Sequence, residues 1–185
     1  HKGMVGSAIY KRLAEYGYEN LVVVSKNELD LRDDSAVKGW FVKNKPSIVI
    51  VAAAKVGGIG ANSKYPVDFL VDNLKIQNNL IINSFLSKVK KLLFLGSSCI
   101  YPKYATQPIV EEELLKGPLE KTNEPYALAK ICGIKLCESL RKQYSFDAIC
   151  LLPANLYGPG DNYHPKNSHV AAALMKKFTE AALNN

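Results

Sequence analysis

The sequence predicts an α/β fold: a Rossmann-type, doubly wound parallel sheet with flanking helices. Three observations carry that prediction. Four short, continuous apolar runs recur along the chain, the pattern of strands buried on both faces of a parallel sheet. Longer stretches with helical periodicity separate them. A glycine turn, Gly3-Met4-Val5-Gly6, opens the first of those stretches. Helix and strand alternate throughout, which argues for right-handed crossovers between parallel strands.

The first helical pattern covers residues 5–16. Leu21-Val22-Val23-Val24 reads as a strand, and a helix over 35–43 follows it. Ile48-Val49-Ile50-Val51 is the second strand and leads into a long helix over 66–87. Leu92-Leu93-Phe94-Leu95 is the third. Between it and a helix over 123–144 lie residues 101–122, with three prolines and no clean period. A loop of that length in a compact domain is usually functional. Ala148-Ile149-Cys150-Leu151-Leu152 is the fourth strand, and the last helix covers 168–182. No internal repeat, low-complexity tract or linker interrupts this order.

Composition sets the bounds. The chain has 185 residues, the size of one domain, with 48% apolar and 22% charged residues. Those values exclude a disordered chain and a collagen-like fibre. No apolar run reaches the roughly 18 residues that a membrane-spanning helix needs. Lys plus Arg is 24 against 17 for Asp plus Glu, a net charge of +7 that favours phosphate-bearing partners. The lysines are spread out rather than blocked together, which weakens a nucleic-acid reading. Four cysteines show no CxxC pair and no histidine at zinc spacing, so no metal is expected and the thiols read as those of a reduced, cytoplasmic protein.

The chain begins at His1, in the middle of a motif. A doubly wound domain places a strand before its first glycine turn, so the expectation is a fragment with its first strand missing. Residues 1–160 then form an incomplete nucleotide-binding domain, and 161–185 start a truncated C-terminal substrate-binding region. That first strand is central in such a sheet, and its two neighbours would lack a pairing partner. Expressed alone, this stretch is expected to be poorly soluble and inactive; a monomeric product that melts cooperatively would contradict that.

The candidate chemistry follows the strand ends. At Gly3 and Gly6 the backbone N–H groups can approach a pyrophosphate, which the helix dipole also favours. After the strand at 21–24, the segment Lys26-Asn27-Glu28-Leu29-Asp30-Leu31 stands where an adenosine ribose is read. A basic residue there accommodates a 2′-phosphate, so Lys26, joined by Lys2, points to NADP(H). Tyr126 and Lys130 lie four apart on one helical face, with Pro125 in the first turn. A nearby ammonium stabilises the phenolate and is expected to lower the tyrosine pKa. Upstream, Leu95-Gly96-Ser97-Ser98-Cys99 brings hydroxyls to a strand end, where ligands bind in open α/β sheets.

Together these features resemble the extended short-chain dehydrogenase/reductase family. Within it, the sequence is similar to the GDP-L-fucose synthase family. The longer matches are Ala52-Ala53-Ala54-Lys55-Val56-Gly57-Gly58-Ile59, Leu93-Phe94-Leu95-Gly96-Ser97-Ser98-Cys99-Ile100-Tyr101-Pro102, Asn123-Glu124-Pro125-Tyr126-Ala127 and Asn155-Leu156-Tyr157-Gly158-Pro159 through Asn167-Ser168-His169-Val170. The resemblance implies a small-molecule substrate, GDP-4-keto-6-deoxy-D-mannose, and a two-part reaction. Cys99 and His169 would exchange protons at C3 and C5, and Tyr126, poised by Lys130, would protonate the alkoxide after hydride reaches C4. Ser97 would hold the carbonyl oxygen, with Ser98 nearby. Lys2, Gly3, Met4, Val5, Gly6, residues 26–31, Leu95, Gly96, Ser97, Ser98, Lys130, Pro153, Ala154, Asn155, Leu156 and His169 would line the cofactor. Asn155 and Lys177 would touch substrate, although lysine lacks the bidentate phosphate geometry of the arginine found there in some relatives. The helices starting at Pro66 and Asn123 would form a four-helix bundle in a homodimer, with no nucleic acid or membrane partner. A related nucleotide-sugar reductase or 4-epimerase, or a catalytically idle NADP-binding protein, is the alternative.

Overall fold

The structure is a computed structural model describing residues 1–164 and 168–184; Asn167 of the Asn-Ser-His motif lies outside the described residues. Helix α1 spans Met4–Glu15, α2 Asp34–Asn44 and strand β1 Ile48–Val51. Then come α3 Ile59–Lys64, α4 Pro66–Leu86, β2 Lys91–Leu95, α5 Glu124–Tyr144, β3 Ala148–Leu151 and α6 Val170–Leu183. The boundaries have local causes. Gly3 enters α1 through extended backbone, and Gly17 ends it at φ +82°, where its N–H and that of Tyr18 reach back to Ala14 and Leu13. The Asp33 carboxylate accepts from the Ala36 N–H at 3.0 Å and caps α2. Pro66 sits in the first turn of α4, as Pro125 does in α5, where the missing N–H has no helical partner to lose.

The sheet is parallel, in the order β1-β2-β3, with Val51 opposite Phe94 and Leu95 opposite Leu151. Helix α5 packs along α4, and both cover the face that carries Val51, Leu92, Phe94 and Ala148. Val37 and Phe41 of α2 join the same core. This is the parallel, crossover-linked architecture expected of the Rossmann type.

Two expectations change. Leu21-Val22-Val23-Val24 joins no ladder among the described residues, and Val22 and Val23 are 60% and 46% exposed. A strand is defined by its partner, and among the described residues none pairs with this segment or with the outer edge of β1. The strands are also buried mainly on one face. Ile48, Ile50 and Leu151 on the other side are exposed; α1 buries no residue fully and α6 buries only Ala172. Helix α3 is an element that the sequence pattern did not signal; Asn62 of α3 donates to the Gly57 and Gly58 carbonyls and folds that glycine pair onto the helix.

The close approach of α5 to the sheet depends on Gly133. A Cβ there would lie 2.6 Å from the Phe94 ring and 2.9 Å from Gln77 Oε1. Both neighbours are themselves buried, and Gln77 Nε2 donates to the Ala129 carbonyl. Gly133→Ala is therefore expected to destabilise the fold by about 1–3 kcal/mol through overpacking, read as a lower denaturant midpoint with an unchanged slope.

Candidate active site

The site forms where β2 and β3 end and α5 begins. The Gly96 N–H donates to the Leu151 carbonyl at 2.8 Å and the Ser98 N–H to the Pro153 carbonyl at 3.3 Å, so the two strand ends leave the sheet together. Beyond Ser97 the chain makes a short 3₁₀ turn, Ser98–Ile100, anchored by the buried Ile100. The Ser97 hydroxyl accepts from the Cys99 N–H at 3.3 Å, which fixes it at the mouth of that turn. Carbonyl and N–H groups left over at parallel strand ends are the reason ligands collect there.

Helix α5 lays Tyr126 and Lys130 over this strand end. Lys130 is 4% exposed; its ammonium donates to the Leu95 carbonyl at 2.8 Å and stands 4.8 Å from the Phe94 ring centroid and 5.8 Å from that of Tyr126. Burial pulls its pKa down to about 8. Tyr126 meets Phe69 of α4 edge-on, with centroids 6.4 Å apart. Its phenol is pushed up to about 12, first by burial and then by the negative charge Cys99 can carry, against a smaller opposing effect of the Ser97 hydroxyl bonded to it. The spacing of Tyr126 and Lys130 had suggested a lowered tyrosine pKa. The lowering is absent because the phenol is buried and the Lys130 ammonium is engaged with a backbone carbonyl. A phenol held protonated is suited to donating a proton to a developing alkoxide.

Ser97, Cys99, Tyr126 and Lys130 thus converge. His169 does not join them through the described contacts: it is exposed at the start of α6, its carbonyl accepting from Ala173. Asn155 and Lys177 are exposed, on the segment after β3 and on α6. At the other end, α1 begins at Gly3 with no side-chain cap and no acidic residue in its first turn, leaving first-turn N–H groups open to an anion. A Cβ at Gly6 would lie 2.7 Å from the backbone nitrogen of His1, so only glycine permits that turn.

The segment 26–31 divides into two kinds of residue. Lys26, Asn27 and Glu28 form an exposed turn, with the Glu28 carboxylate accepting from the Ser25 N–H at 2.9 Å and the Ser25 hydroxyl at 2.5 Å. Those bonds, aided by Lys2, hold Glu28 below its ordinary range. Leu29 is core, and the Asp30 carboxylate is bound by Arg32 at 2.7 Å, which holds it far below the usual range.

Polar residues within α4 organise the rim, and sequence reading missed them. The buried Asn73 side chain accepts from the Lys55 N–H at 2.8 Å and donates to the Lys55 and Phe69 carbonyls, clamping the segment after β1. Asp72 ties that segment to the one before α2, pairing with Lys55 at 3.2 Å and with Arg32 at 3.3 Å. A cavity of about 350 Å³ opens beside them, lined by Lys55, Tyr65, Phe69 and Asn162. The available signal was a polar residue at a core position: Phe69, Asn73, Gln77 and Ile81 form one i, i+4 stripe.

The opposite shifts of Lys130 and Tyr126 predict a two-sided pH dependence. Lys130 loses its proton in the folded state near pH 8 but at higher pH when unfolded, so its burial costs stability below pH 8 and is progressively relieved as pH rises from there. Tyr126 keeps its proton to about pH 12 when folded, so the unfolded state ionises first and stability falls between pH 10 and 12. Chemical denaturation of Lys130→Met is expected to lose the rise, and of Tyr126→Phe part of the fall.

A profile of the NAD dependent epimerase/dehydratase family matches residues 1–184. A putative GDP-L-fucose synthase 2 of Arabidopsis thaliana is 58% identical over 185 residues, 100% of this chain and 56% of the relative. The GDP-L-fucose synthase of Escherichia coli K12 is 55% identical over the same length, 58% of that protein. The chain therefore spans a little over half the length of these curated relatives. Among solved structures, a GDP-L-fucose synthetase from Naegleria fowleri bound to NADP superposes with a TM-score of 0.89 at 32% identity, over 99% of this chain and 60% of that one. A GDP-mannoheptose C4 reductase from Campylobacter jejuni with NADP bound gives 0.90 at 43%, over 96% and 53%. With the parallel sheet, the glycine turn and the strand-end cluster already in place, the chain belongs to the NAD dependent epimerase/dehydratase family.

Proposed function

We propose that this chain is the nucleotide-binding part of an NADPH-dependent enzyme that converts GDP-4-keto-6-deoxy-D-mannose to GDP-L-fucose. The observation that carries the reading is the convergence of Ser97, Cys99, Tyr126 and Lys130 at the end of β2. The relatives named as GDP-L-fucose synthases support the substrate. The N-terminus of α1 fits a pyrophosphate, and Lys2 and Lys26 bring positive charge to the turn after residue 25. Bound there, NADPH supplies the hydride for C4.

The chain's own residues divide the remaining work. The C4 ketone acidifies the C–H bonds at C3 and C5, since the carbanion charge is shared with its oxygen. Cys99 and His169 are the residues for removing and returning those protons, because a thiol and an imidazole can each take up and release a proton. Ser97 donates a hydrogen bond to the ketone oxygen. Tyr126, protonated at neutral pH, gives its proton to that oxygen as negative charge develops, and the Lys130 ammonium stabilises the phenolate left behind. We propose a homodimer through α4 and α5, which is supported by the exposed Val67 and Val71 on one face of α4 and Leu128 on α5. A cytoplasmic setting rests on the cysteine spacing alone.

One observation favours a second reading: His169 stands apart from Cys99 in the described contacts. A C4 reductase or 4-epimerase of the same family needs Tyr126, Lys130 and Ser97 without that pair. Turnover in deuterated water by the whole enzyme of which this chain is the nucleotide-binding part separates the two, with deuterium expected at C3 and C5 of the product and its absence supporting the simpler reductase. Cys99→Ser or His169→Gln is expected to block that exchange. Tyr126→Phe is expected to lower C4 reduction about 10²–10⁴-fold, and full reduction by this variant would remove Tyr126 as the proton donor.

A further inference from the structure

One face of α4 carries a line of polar side chains, Asp72, Asn79 and Asn83, spaced two turns and then one turn apart. Each of them reaches the segment before α2. The Asp72 carboxylate takes the Arg32 guanidinium on one oxygen at 3.3 Å. Asn79 Nδ2 donates to the Leu31 carbonyl at 2.9 Å, and Asn83 Nδ2 to the Asp34 carboxylate at 3.4 Å. The other Asp72 oxygen takes the Lys55 ammonium at 3.2 Å, and Lys55 also pairs with Asp68 at 2.7 Å. Arg32 in turn grips both Asp30 oxygens, through Nε at 2.9 Å and Nη2 at 2.7 Å. A row of alternating charges, Asp30, Arg32, Asp72, Lys55 and Asp68, therefore runs from the turn after residue 25 to the loop after β1.

That row has a particular place in the fold. In an open parallel sheet ligands enter the crevice at the carboxyl ends of the strands, between the loops that leave them. Residues 52–58 are the loop leaving β1, and Asp72 bridges that loop to the segment ending at Arg32. The turn at 26–28 is exposed, and residues 21–24 ahead of it join no ladder among the described residues, so sheet pairing does not hold it. Side chains of α4 hold its C-terminal side instead. A partly exposed ion pair on its own contributes little, because solvent screens it and two long side chains must be ordered. Asp72 differs in being shared by two cations from two loops. Those cations hold its carboxyl below the ordinary value, against the burial that opposes them. Without its charge, Arg32 and Lys55 are left as like charges on the two sides.

We propose that the polar face of α4, Asp72 foremost and Asn79 with it, positions the adenosine end of the cofactor. Asp72 holds Arg32 and Lys55 on one carboxylate and so sets the spacing between the turn at 26–31 and the loop after β1. Asn79 fixes the Leu31 carbonyl from the same side. Neither residue touches the cofactor; both act through the loops they hold. The inference rests on the reading of residues 26–31 as the adenosine-ribose site of an NADP(H) enzyme.

The test uses the whole enzyme and adenosine 2′,5′-bisphosphate, which carries the adenosine end of NADP(H) and no nicotinamide. By titration calorimetry, Asp72→Asn is expected to raise its Kd about fivefold, and Asp72→Glu, which keeps the charge, to stay within about twofold of the unsubstituted enzyme. In turnover, Asp72→Asn is expected to raise KM for NADPH by a similar factor while kcat at saturating NADPH holds, the pattern of binding lost equally from ground and transition states. An unchanged Kd for Asp72→Asn overturns the proposal and leaves the cofactor reading standing. So does an Asp72→Glu enzyme as weak as Asp72→Asn, or a fall in kcat without a rise in KM. An unsubstituted enzyme that binds no adenosine 2′,5′-bisphosphate overturns both. Should Asp72→Asn not fold, Asn79→Ala decides alone: a Kd raised about threefold supports the proposal, and an unchanged one overturns it.

Discussion

The bond from the Lys130 ammonium to the Leu95 carbonyl is the contact on which the site is built. It joins the helix that carries Tyr126 to the last residue of the strand that leads to Ser97 and Cys99. The bond goes with a close approach of α5 to β2. Gly133, three residues further on and beside the Phe94 ring, permits that approach. Charge and packing are therefore coupled here. The same approach that buries the amine, and so lowers its pKa, also brings it under the tyrosine ring.

That burial sets the chemistry of the pair. An amine with a pKa of about 8 beside a phenol at about 12 forms a donor whose proton stays in place until an alkoxide develops beside it. Helix α4 supports the arrangement with polar rather than apolar contacts. Gln77 reaches the α5 backbone, Asn73 clamps the segment after β1, and Asp72 links Lys55 with Arg32. Buried side-chain amides bonded to backbone carry direction, which an apolar packing contact does not, and direction is what a rim of loops needs.

Most of the helices and three of the four expected strands were legible because their signals are local: apolar period, a proline in the first turn, a glycine after the last. The strand-end cluster was legible for a related reason. In a parallel sheet the site lies at the carboxyl ends of the strands, so Ser97 and Cys99 could be placed from the position of one apolar run. Leu21-Val22-Val23-Val24 shows where this reasoning stops. Its composition is that of a strand, but a ladder needs a neighbour, and composition does not supply one.

The order of elements, the glycine turn and the identities of the candidate acid, base and hydroxyl groups thus follow from residue chemistry and spacing along the chain. The ionisation of Tyr126, the link from Asp72 to both Lys55 and Arg32, and the clamp at Asn73 do not. Each depends on groups distant in the chain, or on the burial that folding imposes. Desolvation and hydrogen bonding act through space, so they take their values only once the helices have closed over the sheet.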